Sequence, residues 1–321
     1  MSTVVGRPSV ALATSVDWPD LSPDDGLIAP ALARVGVDAE IAIWTEPRVA
    51  WVRYDLIVVR SCWDYHQDLP RWLDWIGALE RRGCGMKLCN PPAVLRWNAR
   101  KTYLRELAAR GVSVVPTVWL AGADLASWDA LKAALEATPW DEVVCKPAVA
   151  AGALATFRLP RANFAAFESV VSLALPDYVS RGPVMIQPYL SEIARDGEWS
   201  LIFFAGAFSH AVLKQPAMGD FRVQERHGGS TVAATPPALV MAAARATLAA
   251  TNQTLSHGSD GALLYARVDM VVSAGTPLLI ELEITEPALF LGTAAASETT
   301  DVAADRLADA IAGRIAAGVA C

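Results

Sequence analysis

The pattern of apolar and polar positions divides the chain into stretches of different rhythm. Ser9–Val16, Ala39–Trp44 and Asp55–Ser61 are short, nearly continuous apolar runs and read as strands. Between the first two, Asp24 and Asp25 can cap a helix carrying Leu27, Ile28, Ala31, Leu32 and Val35, with Gly36 as its stop. Leu69–Arg82 has helical spacing and ends at Gly83. This alternation predicts a parallel sheet that presents ligands at the carboxyl ends of its strands. Asp17 and Trp18 follow the first strand, and Arg60, Ser61 and Trp63 to Tyr65 follow the third. Arg60 reads either as a bidentate receptor for a substrate carboxylate or as a turn residue paired with Asp64.

From Asn98 the rhythm changes. Ala99–Arg110 reads as a helix containing Lys101, Val112–Leu120 as extended chain, and Ser127–Ala137 as a helix. Glu142–Lys146 and Phe157–Leu159 are strands around the small-residue loop Ala148–Thr156, followed by a helix over Ala162–Ala174. Val184–Leu190, Glu198–Gly206 and Phe208–Gln215 are strands, Pro237–Leu255 is a helix, and Val302–Ala317 is a helix with Leu307, Ile311 and Ile315 on one face.

The stretch Leu263–Pro287 carries the most chemistry. It reads as two apolar strands joined by the turn Ser273–Pro277, interrupted by Asp269, Glu281 and Glu283. Strand residues two apart share a face, so Glu281 and Glu283 project together, and a hairpin can bring Asp269 opposite them. Carboxylates facing one another repel unless a cation lies between. Hard oxygen ligands without a His or Cys set suit Mg²⁺ that arrives with a nucleotide phosphate. A solvated acidic strand face is the competing reading, but the flanking residues are almost wholly apolar. Lys146, at the end of the apolar strand before Pro147, is a second signal, since a buried ammonium is costly without an anion beside it.

Composition narrows the choices. The 321 residues suffice for two or three lobes, with 53% hydrophobic and 19% charged side chains, the latter below the roughly 25% of average domains. No apolar run reaches the roughly 20 residues that span a bilayer, and no signal sequence is evident, so a cytoplasmic protein without a membrane partner is expected. A net charge of −7 and the lack of a basic stripe argue against nucleic acid. The five cysteines, Cys62, Cys84, Cys89, Cys145 and Cys321, show no CxxC spacing and read as reduced thiols. No GxSxG, HExxH or triad-like arrangement appears.

The combination resembles the ATP-grasp fold, in which ATP lies between two α+β lobes. It is closest to the branch containing bacterial glutathione synthetase, and within it to the group around the D-cycloserine-forming ligase. The residues that carry the resemblance are Val59–Tyr65, Cys89–Pro92, Trp97-Asn98 with Lys101, Cys145–Ala148, and Glu281–Glu283 with Glu286-Pro287. The implied fold class is α/β: a βαβ substrate lobe over 1–97, an ATP-grasp lid lobe over 98–190, and a larger lobe with the metal carboxylates over 191–321.

Position by position, Lys101 and Lys146 resemble the two lysines that hold the ATP phosphates. Gln187, Pro188, Tyr189 and Leu190 are similar to the hinge that reads adenine through main-chain atoms, and Glu198 to the acidic residue on the ribose. Arg222 and Gly228-Gly229 resemble the catalytic Arg and the glycine amides at the reacting carbonyl. Asp269, Glu281 and Glu283 match the carboxylates for two Mg²⁺ ions, with Glu283 where Asn is common. Asp17, Arg60, Ser61, Tyr65, Arg267 and Glu286 are the expected substrate contacts. Two departures stand out. The phosphate loop has only Gly152, and Ser200 replaces a basic residue, for which Lys214 can substitute.

The resemblance implies an ATP-dependent carboxylate–amine ligase that works through an acyl phosphate on a small amino-acid-like substrate. Intramolecular amide closure and a nucleotide-binding module without turnover are the alternatives, and self-association into a homo-oligomer stays open.

Overall fold

Four parallel strands build the first lobe, because each apolar run returns through a helix to the same edge-to-edge direction. In the computed structural model these are β1 (Ser9–Thr14), β2 (Asp38–Ile43), β3 (Leu56–Val59) and β4 (Leu88–Cys89), in the order β2-β1-β3-β4. The structure describes residues 6–121, 127–168, 182–224, 227–255, 263–295 and 302–318, with positions 125, 173 and 176. Helix Leu69–Arg81 covers one face of the sheet and is capped by Asp68, which accepts from the Arg71 N–H at 3.1 Å. Trp72 and Trp75 from this helix pack with Trp44 and Trp51. The helix Ile28–Arg34 starts without a side-chain cap. Asp25 is drawn instead to Arg60 and Ser61, and Asp24 to the Gly292 N–H, so both aspartates serve tertiary contacts.

The second lobe is an antiparallel sheet. β5 (Val118–Leu120), β6 (Glu142–Pro147), β7 (Phe157–Pro160) and β8 (Val184–Pro188) pair in the order β5-β8-β6-β7. The third lobe is a five-stranded antiparallel sheet of β9 (Glu198–Phe204), β10 (Ala207–Gln215), β11 (Ser230–Ala233), β12 (Tyr265–Ser273) and β13 (Thr276–Glu283), ordered β11-β10-β9-β12-β13. Helix Ala238–Leu255 contributes Val240 and Ala244 to its core.

Packing crosses the expected boundaries in two places. Tyr103, Leu104 and Leu107 join the core of the third sheet. Leu307 and Ile311 of the final helix, Val302–Ala316, join Val10, Leu12 and Ile28 of the first lobe, and Arg34 bonds Asp305 at 2.6 Å.

The expected single helix over Ala99–Arg110 is a correction. Two helices, Pro92–Asn98 and Tyr103–Ala109, flank a turn that contains Lys101. Tertiary bonds break the helix there: Asn98 donates to the Leu282 carbonyl at 2.8 Å, and the Lys101 N–H donates to Ala148 at 2.9 Å. The described part of the helix expected over Ala162–Ala174 is a 3₁₀ segment, Arg161–Phe167, and most of the remainder, like Cys321, lies outside the described residues. Cys62, Cys84 and Cys145 are buried free thiols, whereas Cys89 is disulfide-bonded, which corrects the expectation of a reduced thiol there. Among the described residues no helix is long and apolar enough to cross a membrane.

Candidate active site

All three lobes contribute walls to one cleft of about 1010 Å³, the first through the loops beyond its strand ends. Its floor follows from the β12–β13 hairpin. Asp269 pairs across the ladder with Glu281, and Arg267 with Glu283, the facing expected from the sequence. The register slips between Asp269 and Met270, so the ladder passes over Ile280. That bulge turns both Ile280 and Glu281 to the cleft while Leu279 and Leu282 stay in the core.

The carboxylates do not stand bare. Lys146 from β6 meets Glu281 at 3.1 Å, and Lys101 from the turn meets it at 3.6 Å. Lys101 also donates to the Ala150 carbonyl at 2.9 Å, which ties it to the Ala148–Thr156 loop. Burial raises the Glu281 carboxyl, yet the two lysines outweigh burial and hold it down to about 2. Arg267 lies 2.8 Å from Asp269 and 2.5 Å from Glu283. Burial would raise Asp269 as well, but Arg267, Lys214 and the Ser200 hydroxyl keep it below the usual carboxylate range. Glu283 goes the other way: burial, only partly countered by Arg267 and reinforced by Asp269 and Glu281, pushes it up to about 7. Burial and then repulsion from Glu283 push Glu286 up to about 8.

Asp17, Tyr65, Gln187 to Leu190, Glu198, Lys214 and Arg222 also line the cleft. Gln187 donates to the Thr117 hydroxyl at 2.9 Å. The Tyr189 N–H is already given to the Glu142 carbonyl at 2.9 Å, so this hinge amide is not one that adenine can use. Glu198 pairs across the ladder with Lys214, and burial pushes its carboxyl up against that pull. Lys214 also lies 3.7 Å from Asp269, near the Ser200 position where a cation was expected to be missing. Arg222 is held by Asp220 at 2.8 Å. Ala153 and Ala155 in the same loop take φ of 60° and 51°, so alanines here adopt the left-handed backbone that glycine takes more easily.

Four expected residues lie off the cleft wall. Arg60 is fully buried behind it, bonded to Asp25 at 3.0 Å and to the Pro287 carbonyl at 2.5 Å. Ser61 donates to Asp25 at 2.6 Å. The reading of Arg60 as a substrate ligand is therefore corrected, and its partner is Asp25, not Asp64. Gly228 and Gly229 form a turn behind Val223, where a Cβ on Gly229 would meet the Val223 carbonyl oxygen at 2.2 Å.

Sequence reasoning missed a clamp beside Glu286. The four consecutive carbonyls of Glu286, Pro287, Ala288 and Leu289 accept from Trp63, Arg60, Arg267 and His210, at 2.9, 2.5, 3.1 and 2.8 Å. Trp63 also meets Trp18 edge to face, ring centroids 5.3 Å apart. The cluster of Trp18, Trp63 and Tyr65 after two strand ends was the available signal.

Among the described residues no three His, Cys, Asp or Glu side chains are grouped closely enough to hold a metal ion by themselves. The donor set nevertheless fits Mg²⁺ shared with phosphates: all-carboxylate, and neutralised in the structure by cations that can exchange for it.

A family model described as the N-terminal domain of D-cycloserine synthetase DcsG matches residues 10–90. Over 288 residues the chain is 33% identical to the cycloserine biosynthesis protein DcsG of Streptomyces lavendulae, covering 88% of this chain and 90% of that protein. The crystal structure of D-cycloserine synthetase DcsG matches with a TM-score of 0.82 at 30% identity, over 96% of this chain and 99% of that one. D-alanine–D-alanine ligase from Bacillus anthracis complexed with ATP shares the fold, with a TM-score of 0.64 at 15% identity over 97% of this chain and 98% of that one. With a match at this identity over most of both chains, the protein belongs to the DcsG family of ATP-grasp ligases.

Proposed function

We propose that the protein uses ATP to close an amide within one small amino-acid-like molecule, the attacking nitrogen and the carboxylate belonging to the same substrate. The convergence of Lys101 and Lys146 on Glu281, at 3.6 and 3.1 Å in the cleft wall, carries the phosphoryl-transfer half of this reading. Two ammonium groups beside an acidic strand suit a triphosphate and its counter-cation.

A carboxylate repels nucleophiles, and receiving the γ-phosphoryl group of ATP turns it into an acyl phosphate with a good leaving group. Lys101 and Lys146 would turn from Glu281 to phosphate oxygens, and Arg222 would leave Asp220 for the transferred group. Asp269, Glu281 and Glu283 would hold Mg²⁺, two ions in this reading, which supplies charge neutralisation at the transferring phosphoryl group. The substrate nitrogen then attacks the acyl carbon, its N–H proton is lost, the C–N bond forms and inorganic phosphate departs. Arg222 would stabilise the oxyanion. Gln187 and the main chain around Pro188 and Leu190 would contact adenine, with Glu198 and Lys214 behind the ribose and phosphates. Asp17, Tyr65 and Glu286 would face the substrate.

Ring closure is favoured over joining two molecules by the likeness to proteins named for D-cycloserine synthesis. D-cycloserine is a five-membered cyclic amide with a free amine, and opening its acyl–nitrogen bond gives β-aminooxy-D-alanine. That acid, incubated with the protein, ATP and Mg²⁺, is expected to release ADP and phosphate and form the ring with no added amine. An absolute need for a second amine would replace this reading with intermolecular ligation.

A further inference from the structure

We infer that Glu286 receives the ammonium group of the substrate, and that Trp63 and Arg60 hold it in place through main-chain carbonyls without touching the substrate. This rests on the ligase reading above and names what its substrate end recognises.

Glu286 is 8% exposed and lines the cleft, yet its carboxylate makes no ion pair or hydrogen bond to another described side chain. A carboxylate so placed awaits a cationic partner, because burying the charge alone is costly. Among the described residues no cation is paired with it: Lys101 and Arg267 act on it only from a distance, and Lys101 is committed to Glu281. Arg267, the cleft cation on the same hairpin, is committed to Asp269 and Glu283. The neighbouring wall adds Asp17 and Asp64, further negative charge, and the aromatic pair of Trp18 and Trp63. Ring faces beside carboxylates favour a compact cation. A primary ammonium fits this better than a second carboxylate, for which Arg60 was the expected receptor and is out of reach.

The segment carrying Glu286 has no regular structure to fix it. It is fixed by side chains from both sides: Trp63 and Arg60 from the first lobe, Arg267 and His210 from the third-lobe sheet. Losing the Trp63 or Arg60 bond would let the Glu286 backbone shift while leaving its side chain chemically intact. Such a shift should weaken recognition of the amine specifically.

The test is binding of D-cycloserine and of isoxazolidin-3-one, the same ring without the amine, by titration calorimetry with ADP and Mg²⁺ present. The intact protein is expected to prefer D-cycloserine by at least about tenfold. Glu286→Gln should erase the preference and leave affinity for isoxazolidin-3-one and for ADP unchanged. Trp63→Phe, which keeps a ring and removes the N–H, and Arg60→Lys, which keeps the charge beside Asp25, should each reduce the preference at least about threefold with ADP affinity unchanged. A Glu286→Gln protein that still discriminates between the two rings overturns the inference while the ligase reading stands. Full discrimination in both Trp63→Phe and Arg60→Lys overturns the positioning role. An intact protein that binds ADP but neither ring overturns the ring-closure reading, and the inference with it.

Discussion

Glu281 sits at the junction of the two lysines and the acidic hairpin, so Glu281→Gln separates the roles of charge and scaffold. In the structure its carboxylate neutralises Lys146 at 3.1 Å and Lys101 at 3.6 Å. Each contact corresponds to roughly 5 kcal/mol of gross attraction at an effective dielectric near 20, most of it cancelled by desolvation. The net effect is better read from the carboxyl's own titration. Its pKa falls from 4.5 to about 2, which is worth about 3 kcal/mol at neutral pH. The sign follows from the depression: the contribution is complete above the unfolded value near 4.5 and is lost as pH falls through about 2. Gln retains a hydrogen bond to Lys146, so the expected loss of stability is about 2 kcal/mol, visible as a drop of several degrees in thermal midpoint at pH 7 and little change near pH 2.

The nucleotide responses should split. Without metal, the substitution frees two lysines and removes a carboxylate that repels phosphate. A non-hydrolysable ATP analogue in EDTA should bind about tenfold tighter, equal to about 1.4 kcal/mol. With Mg²⁺ the lost ligand dominates, and ADP release should fall at least about a hundredfold, since metal clamps contribute several kcal/mol to phosphoryl transfer. Calorimetry in the two buffers and a coupled ADP assay measure both. Turnover within about threefold of the intact protein at saturating Mg²⁺ would refute the assignment. Equal weakening of the analogue with and without metal would refute the exchange of partners on which it rests.

Three further outcomes follow from the same geometry. Lys146→Ala should weaken the ATP analogue at least about tenfold in Mg²⁺ buffer, and unchanged affinity in calorimetry would return Lys146 to the scaffold. Glu286, raised to about 8 by burial, favours the folded state less as pH climbs from 4.5 through 8, so Glu286→Gln should raise the thermal midpoint at pH 8.5 and leave it nearly unchanged at pH 5. Gly229→Ala puts a methyl group against the Val223 carbonyl beside Arg222, and should lower turnover more than nucleotide affinity; an unchanged kcat would show that the turn adjusts freely.

The hairpin was legible because strand pairing converts sequence spacing directly into geometry: Asp269 faces Glu281 as the period of two requires. Lys146 was legible because an ammonium ending an apolar strand violates the usual pattern. Position along the strands was also enough to bring Asp17 and Tyr65 to the cleft. Arg60 was misplaced for a physical reason. Its rank at a strand end is the same whether it faces a ligand or a buried acid, and the acid, Asp25, lies 35 residues away in sequence with nothing local to announce it. Lys101 was put in a helix because Ala99–Arg110 has the propensity for one, and tertiary bonds from Asn98 and to Ala148 overrode it. The clamp on Glu286–Leu289 was invisible because carbonyl acceptors carry no residue identity. Short elements such as β4 and β11 are below the length at which periodicity speaks.

The charges of the cleft are unevenly matched, and the mismatch has a direction. Lys101, Lys146, Lys214, Arg222 and Arg267 line it, and each already has a carboxylate partner: Glu281, Glu198, Asp220, Asp269 or Glu283. Among the described residues, the cleft carboxylates without a Lys or Arg ion pair are Asp17 and Asp64 of the first lobe and Glu286. In the proposed reading nucleotide and metal would enter by exchange, phosphate for carboxylate on the lysines and metal for lysine on the carboxylates, with little new charge buried. Among the described residues no Lys or Arg is paired with the carboxylates at the first-lobe end, so in the proposed reading a cation there would come from the ligand. Arg267 touches both ends, through Asp269 and Glu283 on one side and the Ala288 carbonyl on the other. A metal that drew Asp269 away would leave Arg267 to Glu283 and to the strap behind Glu286. Affinity for D-cycloserine should accordingly rise at least about threefold when ADP and Mg²⁺ are present, and ADP affinity should rise by the same factor with the ring bound, as linkage requires. Independent affinities in a matched set of titrations would show that Arg267 is a static brace and that the two ends of the cleft act separately.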